Sequence, residues 1–165
     1  MNDNVLFTGS EIVDIFSELE VSHVVWLPDS TMGLWEEALE SAAAIQLLRV
    51  CREGEAWPLA AGLQLGGQSP VVLMQSTGFF ESGDAMRNVL FDLQMPIFAV
   101  VGARNWIVES SRDSARKYID PILHAWGIDY QLIETVEDKG KLADHYRNTR
   151  EQNTFGISVL AEGRG

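Results

Sequence analysis

Pro70-Val71-Val72-Leu73-Met74-Gln75, followed at once by Ser76-Thr77-Gly78, is the stretch that decides the fold. It is a continuous apolar run, not an alternation of apolar and polar positions, so both of its faces must be covered. A strand covered on both faces belongs to a parallel sheet flanked by helices. Working outward, residues 22–27, 45–50, 97–101, Tyr130–Ile133 and 155–160 repeat the pattern as short, β-branched-rich runs. Helical periodicity fills the intervals. Residues 10–19 put Ile12, Ile15, Phe16 and Leu19 on one face behind a Thr8 or Ser10 cap. Residues 31–41 do the same with Leu34, Trp35, Ala38 and Leu39, and 53–65, 82–93, 113–126 and 136–151 complete the set. Strands alternating with helices of this length predict βαβ units. The expected fold is a single three-layer α/β domain over residues 1–165 with a mainly parallel six-stranded sheet.

Composition narrows the function. The 165 residues are 46% hydrophobic and 22% charged, which excludes a disordered tail or a fibrous repeat. Twelve basic residues against 24 acidic ones give a net charge of −12. Such a chain is repelled by phosphate backbones and anionic membranes, so neither is an expected partner. The lone Cys51 excludes an internal disulfide and a Cys-based zinc cage. No apolar run approaches the roughly 20 residues that span a bilayer. Met1-Asn2-Asp3-Asn4 lacks the basic start of a signal peptide, so a cytoplasmic protein is expected.

In an open α/β sheet, ligands bind beyond the carboxyl ends of the strands. Three such connections carry chemistry. In Leu27-Pro28-Asp29-Ser30-Thr31, Asp29 or Ser30 can cap the next helix. In Cys51-Arg52-Glu53-Gly54-Glu55, acidic residues open a helix, where they complement its dipole. That helix, Glu53–Leu65, is Ala-, Gly- and Leu-rich with almost no polar face, so its own domain or another chain must cover it. In Gln75-Ser76-Thr77-Gly78-Phe79-Phe80-Glu81-Ser82-Gly83, a glycine-bearing loop can present backbone N–H groups to an anion, or its glycines can serve turns with positive φ. His23, His124 and His145 show no metal spacing; His23 reads as structural and the other two as solvated helical residues. Trp57, Trp106 and Trp126 read as packing residues.

These connections, in this order, resemble the pyrimidine-binding domain of thiamine diphosphate-dependent enzymes. The nearest resemblance is to alpha subunits of sulfopyruvate decarboxylase and to phosphonopyruvate decarboxylases. The residues that carry it are Leu27-Pro28-Asp29-Ser30, Arg52-Glu53-Gly54-Glu55 with Ala60-Ala61-Gly62, and Pro70 through Gly78; Met95-Pro96-Ile97 and Trp126-Gly127-Ile128 add to it. The resemblance implies that Glu53 hydrogen-bonds N1′ of the aminopyrimidine, favouring the imino tautomer that removes the thiazolium C2 proton. It further implies that Gln75, Ser76, Thr77 and Gly78 line the cofactor, and that Asp29 and Ser30 lie near substrate. Arg104, Arg52, Arg87 and Arg112 are candidate cations for a second acidic group on substrate; Arg104 leads because it follows a strand.

The chain also departs from the family pattern. Ser76-Thr77 replaces the usual Asn-Ser, Phe79-Phe80-Glu81 is bulky enough to narrow the pocket, and Pro58 requires a helix starting near Glu55. The Gly-Asp-Gly stretch and distant Asn that hold diphosphate and Mg²⁺ in the family are missing from the sequence. The resemblance therefore implies the alpha subunit of a hetero-oligomeric decarboxylase of an anionic 2-keto acid. Its beta, diphosphate-binding subunit would hold the Mg²⁺. A carboligase or acyl-transfer subunit and a non-catalytic flavodoxin-like binding module are the alternatives.

Overall fold

The structure is a computed structural model that describes residues 6–162; Met1–Asn4, read above for a leader, lie outside them. Among the described residues six strands form one sheet: β1 (His23–Trp26), β2 (Gln46–Arg49), β3 (Pro70–Gln75), β4 (Phe98–Ala103), β5 (Tyr130–Ile133) and β6 (Gly156–Ala161). Their order is β2-β1-β3-β4-β6-β5, and all five pairings are parallel. Every residue of β4 and β6 is buried, as is β3 up to Met74. This is the reason these segments read as runs.

Alternate side chains go to opposite faces, as the pleat requires. Val72 and Met74 join Val101 and Val159 beneath α3 (Glu53–Leu65), α5 (Gly83–Arg87) and α6 (Ser114–Ala125). Val71 and Leu73 join Trp26 and Val100 beneath α1 (Gly9–Glu18), α2 (Glu36–Ser41) and α7 (Gly140–Gln152). The result is the expected three-layer α/β arrangement.

Local chemistry refines the expected boundaries. Thr8, not Ser10, caps α1: its hydroxyl accepts from the Glu11 amide (3.2 Å) while Glu11 accepts from the Thr8 amide (2.7 Å). Residues 31–41 divide into a 3₁₀ turn (Gly33–Trp35) and α2. Residues 82–93 divide into α5 and a π turn (Asn88–Asp92). Helix α3 starts at Glu53 rather than near Glu55, so Pro58 lies inside it and deprives the Gly54 carbonyl of its intrahelical donor. The exposed position of Pro58 leaves that carbonyl's side of the helix toward water. His145 is not on a solvated face: it is half-buried, edge-on to Phe98, with Nδ1 3.0 Å from Ser158 Oγ on β6. Burial pushes its pKa down.

Lys139 ties the start of α7 to α1 by a 2.6 Å contact with Glu11, and that hydrogen bond holds the Glu11 carboxyl down at about 2, against an ordinary 4.5. A carboxyl whose folded pKa is depressed stabilises the fold above its unfolded pKa. That contribution is lost as pH falls through the folded value. Urea denaturation at pH 6 and at pH 3 should therefore show a smaller acid loss in Glu11→Gln than in the parent. Equal losses would mean that the Lys139 contact is screened out by solvent.

Candidate functional site

All six strands run the same way, so their carboxyl ends share one edge of the sheet. The chain first steps from β1 outward to β2, then crosses back to β3 on the other side of β1. The crevice at that reversal, between the ends of β1 and β3, is the usual ligand position in such sheets. The three connections singled out in the sequence converge around it.

After β1, Asp29 builds its own loop. One carboxylate oxygen accepts from the amides of Thr31 (2.7 Å) and Met32 (3.0 Å), and the other from Trp26 Nε1 (3.0 Å). Ser30 is exposed beside it. Thr31 then reaches two neighbouring strands. Its hydroxyl lies 3.5 Å from Gln75 Oε1 at the end of β3, and its methyl occupies the space a Cβ on Gly102 of β4 would need.

After β3 the structure corrects the sequence reading. Residues 76–81 are not a loop but helix α4 (Ser76–Glu81), which begins directly from the strand with Gln75 as its extended N-cap. Gly78 sits in that helix without a positive φ. The requirement for glycine comes from the side. A Cβ on Gly78 would lie 2.5 Å from Glu53 Cγ and 2.8 Å from its Oε1. The Glu53 side chain thus lies directly on the α4 backbone. The second and third connections thus meet here, as a helix-on-helix approach.

Around Glu53 the other charges are committed. Glu55 turns back to accept from the amides of Cys51 (2.9 Å) and Arg52 (3.3 Å). Glu81, at the end of α4, accepts from Arg52 Nε (3.0 Å) and Nη2 (2.5 Å) with one oxygen and from the Gly54 amide (2.9 Å) with the other. The Arg52 guanidinium and the Gly54 amide hold the Glu81 carboxyl below its ordinary range. Sequence reasoning missed this residue because its partners lie 27 and 29 positions away.

The remaining expected residues differ in how they present themselves. Ser76 is fully buried, and its hydroxyl has no hydrogen-bond partner. Thr77 is exposed. Phe79 is 1% exposed within the core and Phe80 packs on the same cluster, so the pair supports the scaffold instead of narrowing a pocket. Arg104 pairs with Asp113 (3.0 Å), which also caps α6 through the Ala115 amide. Trp57 is core, with Nε1 donating to Ser82 Oγ (2.9 Å). A separate cavity of about 1100 Å³ runs along α6, lined by Trp106, Arg112, Arg116, Tyr118, Tyr130 and Glu134; Glu53, Gln75 and Gly78 take no part in it.

No protein-family model matches the chain, and no curated protein sequence matches it. Among solved structures, 2-oxoglutarate:ferredoxin oxidoreductase from Magnetococcus marinus, with 2-oxoglutarate, coenzyme A and succinyl-CoA bound, shares its fold. The TM-score is 0.71 at 12% identity, over 95% of this chain and 29% of that one. The chain thus spans less than a third of that neighbour's length.

The Glu53–Gly78 contact can be tested by glycine replacement. Gly78→Ala should cost about 1–3 kcal/mol by overpacking and dislodge the Glu53 side chain. Gly62→Ala, on α3 with nothing within 4 Å of an added Cβ, should instead stabilise by about 0.5–1 kcal/mol. Urea denaturation of both variants, with a crystal structure of Gly78→Ala, checks the pair. Equal effects would show that Glu53 moves aside freely.

Proposed function

We propose that the chain is the pyrimidine-binding alpha subunit of a heteromeric thiamine diphosphate-dependent decarboxylase acting on an anionic 2-keto acid. Sulfopyruvate and phosphonopyruvate are the leading substrate types, on the sequence resemblance. The observation that carries the reading is Glu53, held at the head of α3 against Gly78 where the three connections converge. The residues present fit an aminopyrimidine. A half-buried carboxylate stands ready for a ring nitrogen, and the buried, unpartnered Ser76 hydroxyl supplies a polar atom in the adjoining wall. The fold neighbour, named for 2-oxoglutarate and carrying it, belongs to the same substrate class.

Thiamine diphosphate, when bound, supplies the electron sink for loss of CO₂ from a 2-keto acid. The protein's part is positioning and proton handling. Glu53 would hold the proton shared with N1′ of the pyrimidine, in a wall of peptide backbone that keeps water off one side. Gln75, Ser76, Thr77 and Gly78 would line the ring. Asp29 shapes the first loop so that Ser30 can approach substrate. Arg104 is the proposed cation for the second acidic group, and would have to exchange Asp113 for it.

Diphosphate and Mg²⁺ are assigned to a beta subunit. Support for such a partner comes from α3, which buries Ala56, Trp57, Ala60 and Ala61 but leaves Leu59 38% and Leu65 78% exposed. We read residues 1–165 as one domain of a cytoplasmic enzyme; among the described residues no helix is long and apolar enough to cross a membrane. A second reading, acyl transfer or carboligation with the same cofactor, is favoured by the succinyl-CoA bound in the fold neighbour. Product analysis separates the two.

Calorimetry of the isolated chain should show weak thiamine diphosphate binding; tight Mg²⁺-dependent binding without a second subunit would overturn the heteromer. In the reconstituted complex, Glu53→Gln should slow C2 proton exchange by about 10²–10⁴-fold while the fold persists. Glu55→Gln should weaken the cap by about 1 kcal/mol and leave exchange far less affected. Exchange that survives Glu53→Gln would end the thiamine reading.

A further inference from the structure

The Glu81 carboxylate touches Glu53's two sequence neighbours and is committed to both. One oxygen takes the Arg52 guanidinium through two nitrogens, and the other takes the Gly54 amide at the start of α3. It does so from α4, the helix that also carries Gly78, on which Glu53 rests. One short helix therefore supplies both the seat for Glu53 and the anchor for the residues on either side of it. The cation in this arrangement is a competitor for Glu53, whose charge acts on it. Arg52 is 73% exposed on its side chain and long enough to swing, and the charges of Glu55 and Glu53 act on it after that of Glu81. Glu55 is already engaged by the Cys51 and Arg52 amides.

We infer that Glu81 is a positioning residue: by engaging Arg52 it keeps the guanidinium off Glu53, and by binding the Gly54 amide it fixes the Glu53 backbone against Gly78. The inference rests on the proposed role of Glu53 toward the pyrimidine. A carboxylate locked to Arg52 would be drawn from its seat and made a poorer proton carrier, because a fixed opposite charge favours its ionised form. Glu81 thus keeps Glu53 from being tied to that cation, while Glu55 is held by backbone amides. The three glutamates at this helix start divide the work: Glu55 caps, Glu81 clamps and Glu53 faces the site.

The test is a cycle of Glu81→Gln, Arg52→Gln and the double variant, all mild surface changes. The first readout is the Arg52 Nε–H resonance of the isolated chain, which needs no cofactor. In Glu81→Gln it should remain protected through a new pairing with Glu53, and disappear when Glu53→Gln is added. Retained protection in that last variant means pairing with Glu55 and overturns the inference. The second readout is C2 proton exchange in the reconstituted complex. Glu81→Gln should slow it about tenfold, and the double variant should recover most of that loss. A double variant no faster than Glu81→Gln would mean that Glu81 is merely a structural cap. Failure of the function itself is seen separately, as exchange that is indifferent to Glu53→Gln.

Discussion

The burial of β3, β4 and β6 on both faces is the constraint from which the architecture follows. A strand with no solvated side needs a helical layer above and below, and its backbone groups need strand partners left and right. Parallel pairing then forces every connection to cross the sheet, so every carboxyl end lands on the same edge. Chemically loaded residues that lie far apart in sequence, such as Asp29, Glu53 and Gln75, are gathered there by topology rather than by any local attraction. Thr31 shows how tight the gathering is, since its methyl occupies room that only the glycine at 102 leaves open.

What could be read from the sequence was whatever depends on local pattern. Pro70–Gln75, Tyr130–Ile133 and Glu53–Leu65 form over the residues their periodicity indicates, because burial on one or two faces leaves a direct trace in the order of apolar residues. The misreadings come from residues whose reason for being there is distant. Gly78 looks like a turn residue, yet it is helical and small because Glu53 leans on it. Pro58 calls for a helix starting near Glu55, yet α3 starts at Glu53 and holds it inside. His145 looks solvated on a helix, yet Ser158 of the sheet receives it. None of these partners is within reach of a pattern that repeats every two or 3.6 residues.

At the head of α3 the same residue type performs tasks that differ only by geometry. Glu55 reaches backward along its own helix and serves backbone amides. Glu81 reaches across from another helix and serves a guanidinium. Glu53 reaches sideways onto bare peptide. Residue type alone does not separate the three carboxylates. The fold distinguishes them by what is already bonded to each. A carboxylate satisfied by internal donors contributes to stability, whereas on the proposed function the one placed against a glycine keeps its lone pairs for a ligand.

The solvent-facing side of α3 has a colloidal consequence. Leu59 and Leu65 give one chain an adhesive surface toward another, and hydrophobic attraction of this kind is not weakened by ions. Opposing it is the repulsion between bodies that each carry −12, which reaches about 10 Å at 0.1 M salt and about 3 Å at 1 M. The chain on its own is thus a charge-stabilised particle, dispersed at low ionic strength and drawn together as salt compresses the field around it.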